Sequence, residues 1–485
     1  MIAHKKSTVS DSIGKYTLWI GHFGFLVLSL YAIVFATDRI FFADSAYYLF
    51  NIIETGSFNI EHNRWSAVIT QIPVVVGVSY GWSLKVLAIT YSLSFILLYY
   101  LIFIISAHLL KTTDIAISLL FTLILMSRLS FFHAVTEVHA AIAWAALFAS
   151  LWASPKFKKI EGLTKLLKYF LFFISATLCV FSHPISIFIL TFIIFYFQAE
   201  NQILFSRSTL YITLLILSIY AVKMLAFRSV GYENDQMSGI LRFPHSFKEF
   251  RDYYSTRYFF VYQFKGFYAI PLIIWISALP AQIFRKDFYK AFVCFVFPVQ
   301  FFVLLCITFQ DGDASFMMEK NFMALGFMFI LPFFRDLFAG FSSLNHTKTI
   351  VAAGLLLYTL PHYYQIHTDV MLPREAFFQS LMEKRGKGLI PDKILMHENT
   401  VPIKYLPLWP MGLESLLYSS YKDSSKTITV YVPFQQKESE LQGIPDIFYV
   451  APFRDPIPVN ELNSLYFRVS SDAFIVIPDS TGTKR

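Results

Sequence analysis

Long apolar runs separated by short polar intervals dominate the chain up to about residue 365. A hydrocarbon layer of about 30 Å is crossed by roughly 17–25 mostly apolar helical residues. On that scale residues 16–36, 86–109, 115–132, 138–153, 166–181, 184–204, 210–227, 267–283, 291–309, 322–341 and 350–364 predict about eleven membrane-spanning helices. The run 66–80 is too short to cross and carries Gln71 and Pro73, which predicts an interfacial or re-entrant helix beside the polar interval 37–65. The first run follows "MIAHKKSTVSDSIGKY" with no small-residue cleavage site and is read as a retained span. Beyond residue 365 the apolar runs shorten, and "TITVYVPF", "IFYVAPF" and "AFIVIPD" have the form of short strands between turn residues. The expected fold is an all-α polytopic membrane bundle over residues 1–365, with amphipathic outer-loop helices, followed by a small α/β soluble domain over 366–485.

Composition agrees with the pattern: 56% hydrophobic and 15% charged residues, with a mean hydropathy of +0.55, exclude an ordinary soluble globular chain. The net charge of +8 argues for no nucleic-acid partner, because the basic residues sit in short loops between apolar runs. Lys15, Lys111, Lys156, Lys158, Lys159, Lys165, Lys168, Arg207, Arg285, Lys286, Lys290, Arg335 and Lys348 all fall on one side, as do Lys5 and Lys6. The positive-inside rule makes that side the cytoplasm and the N-terminus cytoplasmic. The interval 37–65, the loop 228–258, the loop "QDGDASFMMEKN" and the C-terminal domain are then extracytoplasmic. This orientation requires two spans, not one, around Ser182, His183 and Pro184. Cys179, Cys294 and Cys306 lie inside apolar runs and are read as core residues, with no disulfide framework or zinc site.

Three groups of polar residues occupy the expected outer ends. Asp44 is followed by Tyr47 and Tyr48 on a helix-like segment, with Glu54, Gly56, Glu61, His62 and Arg64 downstream. A carboxylate there can serve as a base or simply cap a helix. The second group is His133, Glu137 and His139; the last two are two positions apart, a poor spacing for metal chelation on a helix, and could equally be polar residues satisfied within the bundle. The third is "QDGDASFMMEKN", in which Glu319 and Lys320 begin a late span carrying Pro332. A lysine there offers a point charge for a phosphate. Asp311 and Asp313 are candidate oxygen ligands for a divalent cation, and equally form an ordinary turn around Gly312. Arg64 and Lys85 are further candidates for phosphate contact or for anchoring to lipid headgroups.

The segment "FADSAYYLFNIIETGSF" together with the Glu319-Lys320 pair resembles the GT-C glycosyltransferases, especially the branch with protein O-mannosyltransferases and aminoarabinose transferases. The resemblance implies a GT-C-like helical bundle in a bacterial inner membrane. It further implies inverting transfer of a sugar from a polyprenyl-phosphate carrier to an acceptor hydroxyl on a sugar, lipid or protein. Asp44 would be the general base, Glu137 a second acidic site, and Lys320, Glu319, Lys85, Arg64, Tyr48 and His139 the substrate and phosphate contacts. The chain departs from the family at Ser45, where many relatives carry a second acid, and at Lys320, where arginine is usual. Other functions stay open: a lipid or solute transporter or flippase, a polymerase or ligase of lipid-linked polysaccharide using Arg242, Arg251 and Arg257, or a silent scaffold. Ionisable residues concentrated at span ends, with no paired broken helices, favour an enzyme over an ion-coupled transporter.

Overall fold

A computed structural model describes residues 15–155, 163–201, 205–226, 240, 247–338, 345–401, 407–425, 427–433 and 441–477. The basic cluster 156–160 and most of the loop 228–246, including Arg242, lie outside the described residues. The helices are α1 (Lys15–Val34), α2 (Ala36–Ile40), α3 (Ala43–Thr55), α4 (Val68–Ser79), α5 (Leu84–Ile104), α6 (Thr113–Leu125), α7 (Glu137–Ala153), α8 (Leu163–Val180), α9 (Ser186–Ala199), α10 (Arg207–Ala226), α11 (Tyr254–Arg257), α12 (Ala269–Phe284), α13 (Phe288–Thr308), α14 (Ser315–Pro332), α15 (Asn345–Ile366), α16 (Leu372–Gly386) and α17 (Met411–Lys422). Four helical runs are long and apolar enough to cross a membrane: Lys15–Val34, Leu84–Leu109, Phe288–Thr308 and Ser315–Leu337. Among the described residues α6, α7, α9 and α12 are apolar but shorter. Around Ser182 to Pro184 the chain turns, separating α8 from α9, so two helices stand there.

The run Ser315–Leu337 is the axis of the bundle: 94% of its apolar window is buried, against 33% for α1. Helices α6, α7, α9, α12 and α13 pack around α14. Gly326 lets α14 approach α6, since a Cβ there would stand 2.3 Å from Met126 Cγ. At one end of the bundle a set of buried charges ties five elements together. Arg335, beyond α14, bonds Asp114 of α6 and Glu200 beside α9. Lys290 of α13 lies 2.6 Å from Asp336 and 3.1 Å from Glu200. Tyr196 and Gln282 donate to the same Asp336 carboxylate at 2.8 and 2.7 Å.

The opposite end, called the upper end below, carries α2, α3 and α4 under a C-terminal layer. Helix α4 exposes Ile72 and Val76 and buries Gln71, whose amide exchanges two hydrogen bonds with the backbone of Asn59. The polar residue in the apolar run 66–80 thus anchors the loop before it. The expected boundary at residue 365 falls inside a helical run: α15 passes through a π-helical turn, His367–Met371, directly into α16. The C-terminal layer holds a parallel sheet of order β2-β1-β5 (Thr429–Tyr431, Lys393–Leu395, Ile475–Val476) and an antiparallel pair, β3 (Ile447–Phe448) and β4 (Ile457–Pro458). Its core is continuous with that of the bundle, for Phe50 of α3 packs on Phe448 and Phe467.

Removing one partner from a buried ion pair strands the other charge, at a cost of about 3–5 kcal/mol. Asp336→Ala leaves Lys290 without its nearest carboxylate and is expected to destabilise the fold by that order, read from unfolding in mixed micelles. An unchanged unfolding midpoint would show that the cluster carries no structural weight.

Candidate functional site

Helix α3 starts from an unusual backbone. Phe42 is extended, and Ala43 has φ +47, a left-handed conformation that costs a residue with a Cβ roughly 1–2 kcal/mol. Two buried side chains from the C-terminal layer hold it there. Glu414 of α17 accepts the Ala43 N–H at 2.7 Å, and Arg374 of α16 donates to the Phe41 carbonyl while pairing with Glu414 at 3.0 Å. The next residue is Asp44, in the first turn of α3, where the helix N-terminus favours a carboxylate. Gly56, at φ +62, ends the helix with its N–H on the Ile52 carbonyl. The "ETG" sequence is therefore a cap and a clasp: Glu54 accepts the Asn463 N–H on both oxygens, at 3.0 and 3.1 Å.

Asp44 Oδ2 lies 3.0 Å from His133 Nε2, and His133 Nδ1 is 3.1 Å from Thr136 Oγ1. Burial raises the Asp44 carboxyl, but the adjacent His133 imidazole, together with Lys320, outweighs it and holds Asp44 below its ordinary value. It is an ionised base with an imidazole behind it. Glu319, the first residue of the late acid–base pair, points away from Asp44. Its carboxylate accepts the backbone N–H groups of Arg128 and Ser130 at 3.0 and 2.9 Å, pinning the loop that carries His133. One residue on, the helix turns by about 100°, and Lys320 faces the other way.

Asp44, Tyr47, Tyr48, Glu61, Arg64, Glu137, Asp313 and Lys320 line one polar chamber of about 320 Å³. Glu137 sits between its two cations, 2.6 Å from Arg64 Nη1 and 3.6 Å from Lys320 Nζ. It is thereby a counter-ion that spaces Arg64 and Lys320, and not a second free acid. Tyr48 lines the chamber, and its own hydroxyl is buried without a hydrogen-bond partner. Arg64 is aimed inward by a turn in which His62 and Asn63 have φ +50 and +55. Burial raises the Asp313 carboxyl, against the opposing pull of the Ala314 N–H and Lys320.

Two expected contacts lie elsewhere. Lys85 is exposed on the first turn of α5, outside the chamber. His139 lies in the first turn of α7 and lines a small separate void with Arg39, Tyr99 and His133. Among the described residues no three His, Cys, Asp or Glu side chains gather to hold a metal ion, and Asp313 Oδ1 is engaged by the Ala314 N–H at 2.7 Å, a turn contact. The sequence did not single out His133 as the partner of Asp44, nor Trp409 and Phe453, which reach the chamber from the C-terminal layer.

A second cavity, of about 450 Å³, is walled by apolar side chains including Ile187, Phe188, Phe301, Leu304 and Leu305. It shares Arg64, Met317 and Lys320 with the polar chamber. An apolar groove and a polar chamber therefore meet at a pair of cations. No family model matches the chain, and neither does any curated protein or solved structure.

Burial of the Glu54 carboxyl pushes it up from 4.5 to about 7, so the docked form holds a proton that a released Glu54 loses. A raised carboxyl binds more protons in the docked state, so docking of the segment at Asn463 weakens as pH rises from 4.5 through about 7. Protection of the amides around Asn463, taken relative to their intrinsic base-catalysed exchange, should fall between pH 5.5 and 8, and Glu54→Gln should abolish that fall. Glu414→Ala removes the acceptor that holds Ala43; faster exchange of the Phe41 to Asp44 amides is expected, and unchanged protection would assign the conformation to local sequence alone.

Proposed function

We propose that the chain is an integral-membrane glycosyltransferase of the GT-C type, with about eleven crossings and its upper end on the extracytoplasmic face. It moves a sugar from a polyprenyl-phosphate carrier to an acceptor hydroxyl. The meeting of groove and chamber at Arg64 and Lys320 carries this reading. A carrier of this kind is an apolar chain, an anionic phosphate and a polar sugar in sequence, and the two cavities with their shared cations follow the same order. The apolar groove accepts the chain, Arg64 and Lys320 the phosphate, and the chamber the sugar.

The chemistry needs one proton removed and one anion stabilised. The acceptor O–H gives its proton to the Asp44 carboxylate as the oxygen bonds to the anomeric carbon on the face opposite the phosphate. The bond from anomeric carbon to phosphate oxygen breaks, its electron pair stays on that oxygen, and the sugar is inverted. The polyprenyl phosphate gains a negative charge facing Arg64 and Lys320. Glu137 neutralises the two cations and holds them side by side while the site is empty. His133 orients Asp44 and stabilises its charge.

In purified protein reconstituted in nanodiscs, Asp44→Asn should lower transfer of labelled sugar from a polyprenyl-phosphate donor by about 10²–10⁴-fold. Lys320→Ala should chiefly raise the KM for donor. Undiminished transfer by Asp44→Asn removes that residue from the mechanism. Solute uptake into proteoliposomes with no sugar chemistry would make the chain a transporter instead.

A further inference from the structure

We propose that the acceptor is a neutral saccharide, stacked on an aromatic roof formed by Tyr47, Trp409 and Phe453, which line the chamber and not the apolar groove; this rests on the glycosyltransferase reading. The three rings form a triangle: Trp409 and Phe453 have centroids 5.2 Å apart, and each lies about as far again from Tyr47, at 6.1 and 6.0 Å. All three line the chamber. Tyr47 is one helical turn beyond Asp44 on α3, so the roof and the base share a face.

The rings are not alone in fastening the C-terminal layer. That is done also by Glu54 with Asn463, by Glu414 and Arg374 with the Phe41–Ala43 backbone, and by Tyr466, whose hydroxyl donates to the Trp82 carbonyl at 2.9 Å. Phe453 remains 63% exposed, although it packs on two other rings. An exposed aromatic group beside a polar cavity is a surface for a ligand with an apolar face. A pyranose has such a face in its axial C–H groups, with hydroxyls round its edge. The edge of the roof is equipped for hydroxyls: Tyr47 Oη donates to Glu61 at 3.2 Å, and Arg454 pairs with Glu61 at 2.9 Å while lying 5.4 Å over the Tyr47 ring.

Charge selects among acceptors. Asp44, Glu61, Glu137 and Asp313 line the chamber against Arg64 and Lys320, with Arg454 at the rim. A donor phosphate adds further negative charge at the cations, so an anionic acceptor would enter against repulsion. A lipid acceptor would need an apolar groove on the roof side, whereas the large apolar groove opens beyond Arg64 and Lys320.

The test uses the full chain in nanodiscs with a labelled polyprenyl-phosphate sugar and three acceptor probes: neutral methyl glycosides and disaccharides, a serine- and threonine-containing peptide, and a phosphorylated glycolipid. Label is expected on the neutral saccharides. Trp409→Ala and Phe453→Ala should each raise the saccharide KM about tenfold or more, with the donor KM held, and Trp409→Phe should recover much of the loss. Phe453, being exposed, keeps the test independent of any folding defect at Trp409. Label on peptide or phosphorylated glycolipid alone, or an unchanged saccharide KM in both alanine variants, overturns the acceptor assignment and leaves the transferase standing. A wild-type protein that consumes no donor overturns the transferase reading and the acceptor with it.

Discussion

A carboxylate buried at the end of an apolar bundle must have a counter-charge, because desolvating it alone costs several kcal/mol. Glu137 has two, Arg64 at 2.6 Å and Lys320 at 3.6 Å. The three residues come from different parts of the chain: a loop after α3, the start of α7 and the first half of α14. Their mutual need for neutralisation draws these elements together, and the geometry of the chamber follows. The same interaction leaves two cations facing both an apolar groove and a polar chamber. Without Glu137 the cations would repel one another, and without them Glu137 could not remain ionised. In the proposed mechanism this preformed charge cluster is what meets the phosphate.

The C-terminal layer contributes to the site as much as the bundle does. Arg374 and Glu414 hold Phe41 and Ala43 in a conformation the local sequence does not favour, and so set where Asp44 begins its helix. Trp409 and Phe453 close one side of the chamber. From below, Glu319 shapes the loop that brings His133 to Asp44. Asp44 is thus positioned from two directions by residues some hundreds of positions away in sequence, each acting through buried hydrogen bonds to backbone. Such bonds are costly to leave unmade, which makes the arrangement rigid.

Much of the bundle was legible because apolar runs of a given length have few other uses. The short helix at 68–79 and three of the C-terminal strands also lay close to where the pattern put them. The two strands the pattern did not show, β1 and β4, carry no alternating run of apolar and polar residues. At the site, Asp44, Tyr48, Arg64, Glu137 and Lys320 were all chosen from sequence and all line one chamber. Glu319 and Lys320 could not be told apart, since adjacent residues on a helix face different directions and only packing decides which faces the cavity. Lys85 and His139 were chosen by proximity in sequence to span ends, a criterion blind to rotation about the helix axis.

The sequence by itself determined that this is a helical chain with segments long and apolar enough to cross a membrane, that its last part folds into short strands, and which ionisable residues gather near the ends of apolar runs. Those properties depend on local periodicity and on the free energy of moving side chains out of water, and both can be read one segment at a time. Only the tertiary structure decided that Asp44 faces His133, that Glu137 joins Arg64 to Lys320, and that Trp409 and Phe453 roof the chamber. These are contacts between residues up to several hundred positions apart. They arise because buried charges and hydrogen-bonding groups must find partners wherever the packed helices bring them, and no local pattern encodes which partner that will be.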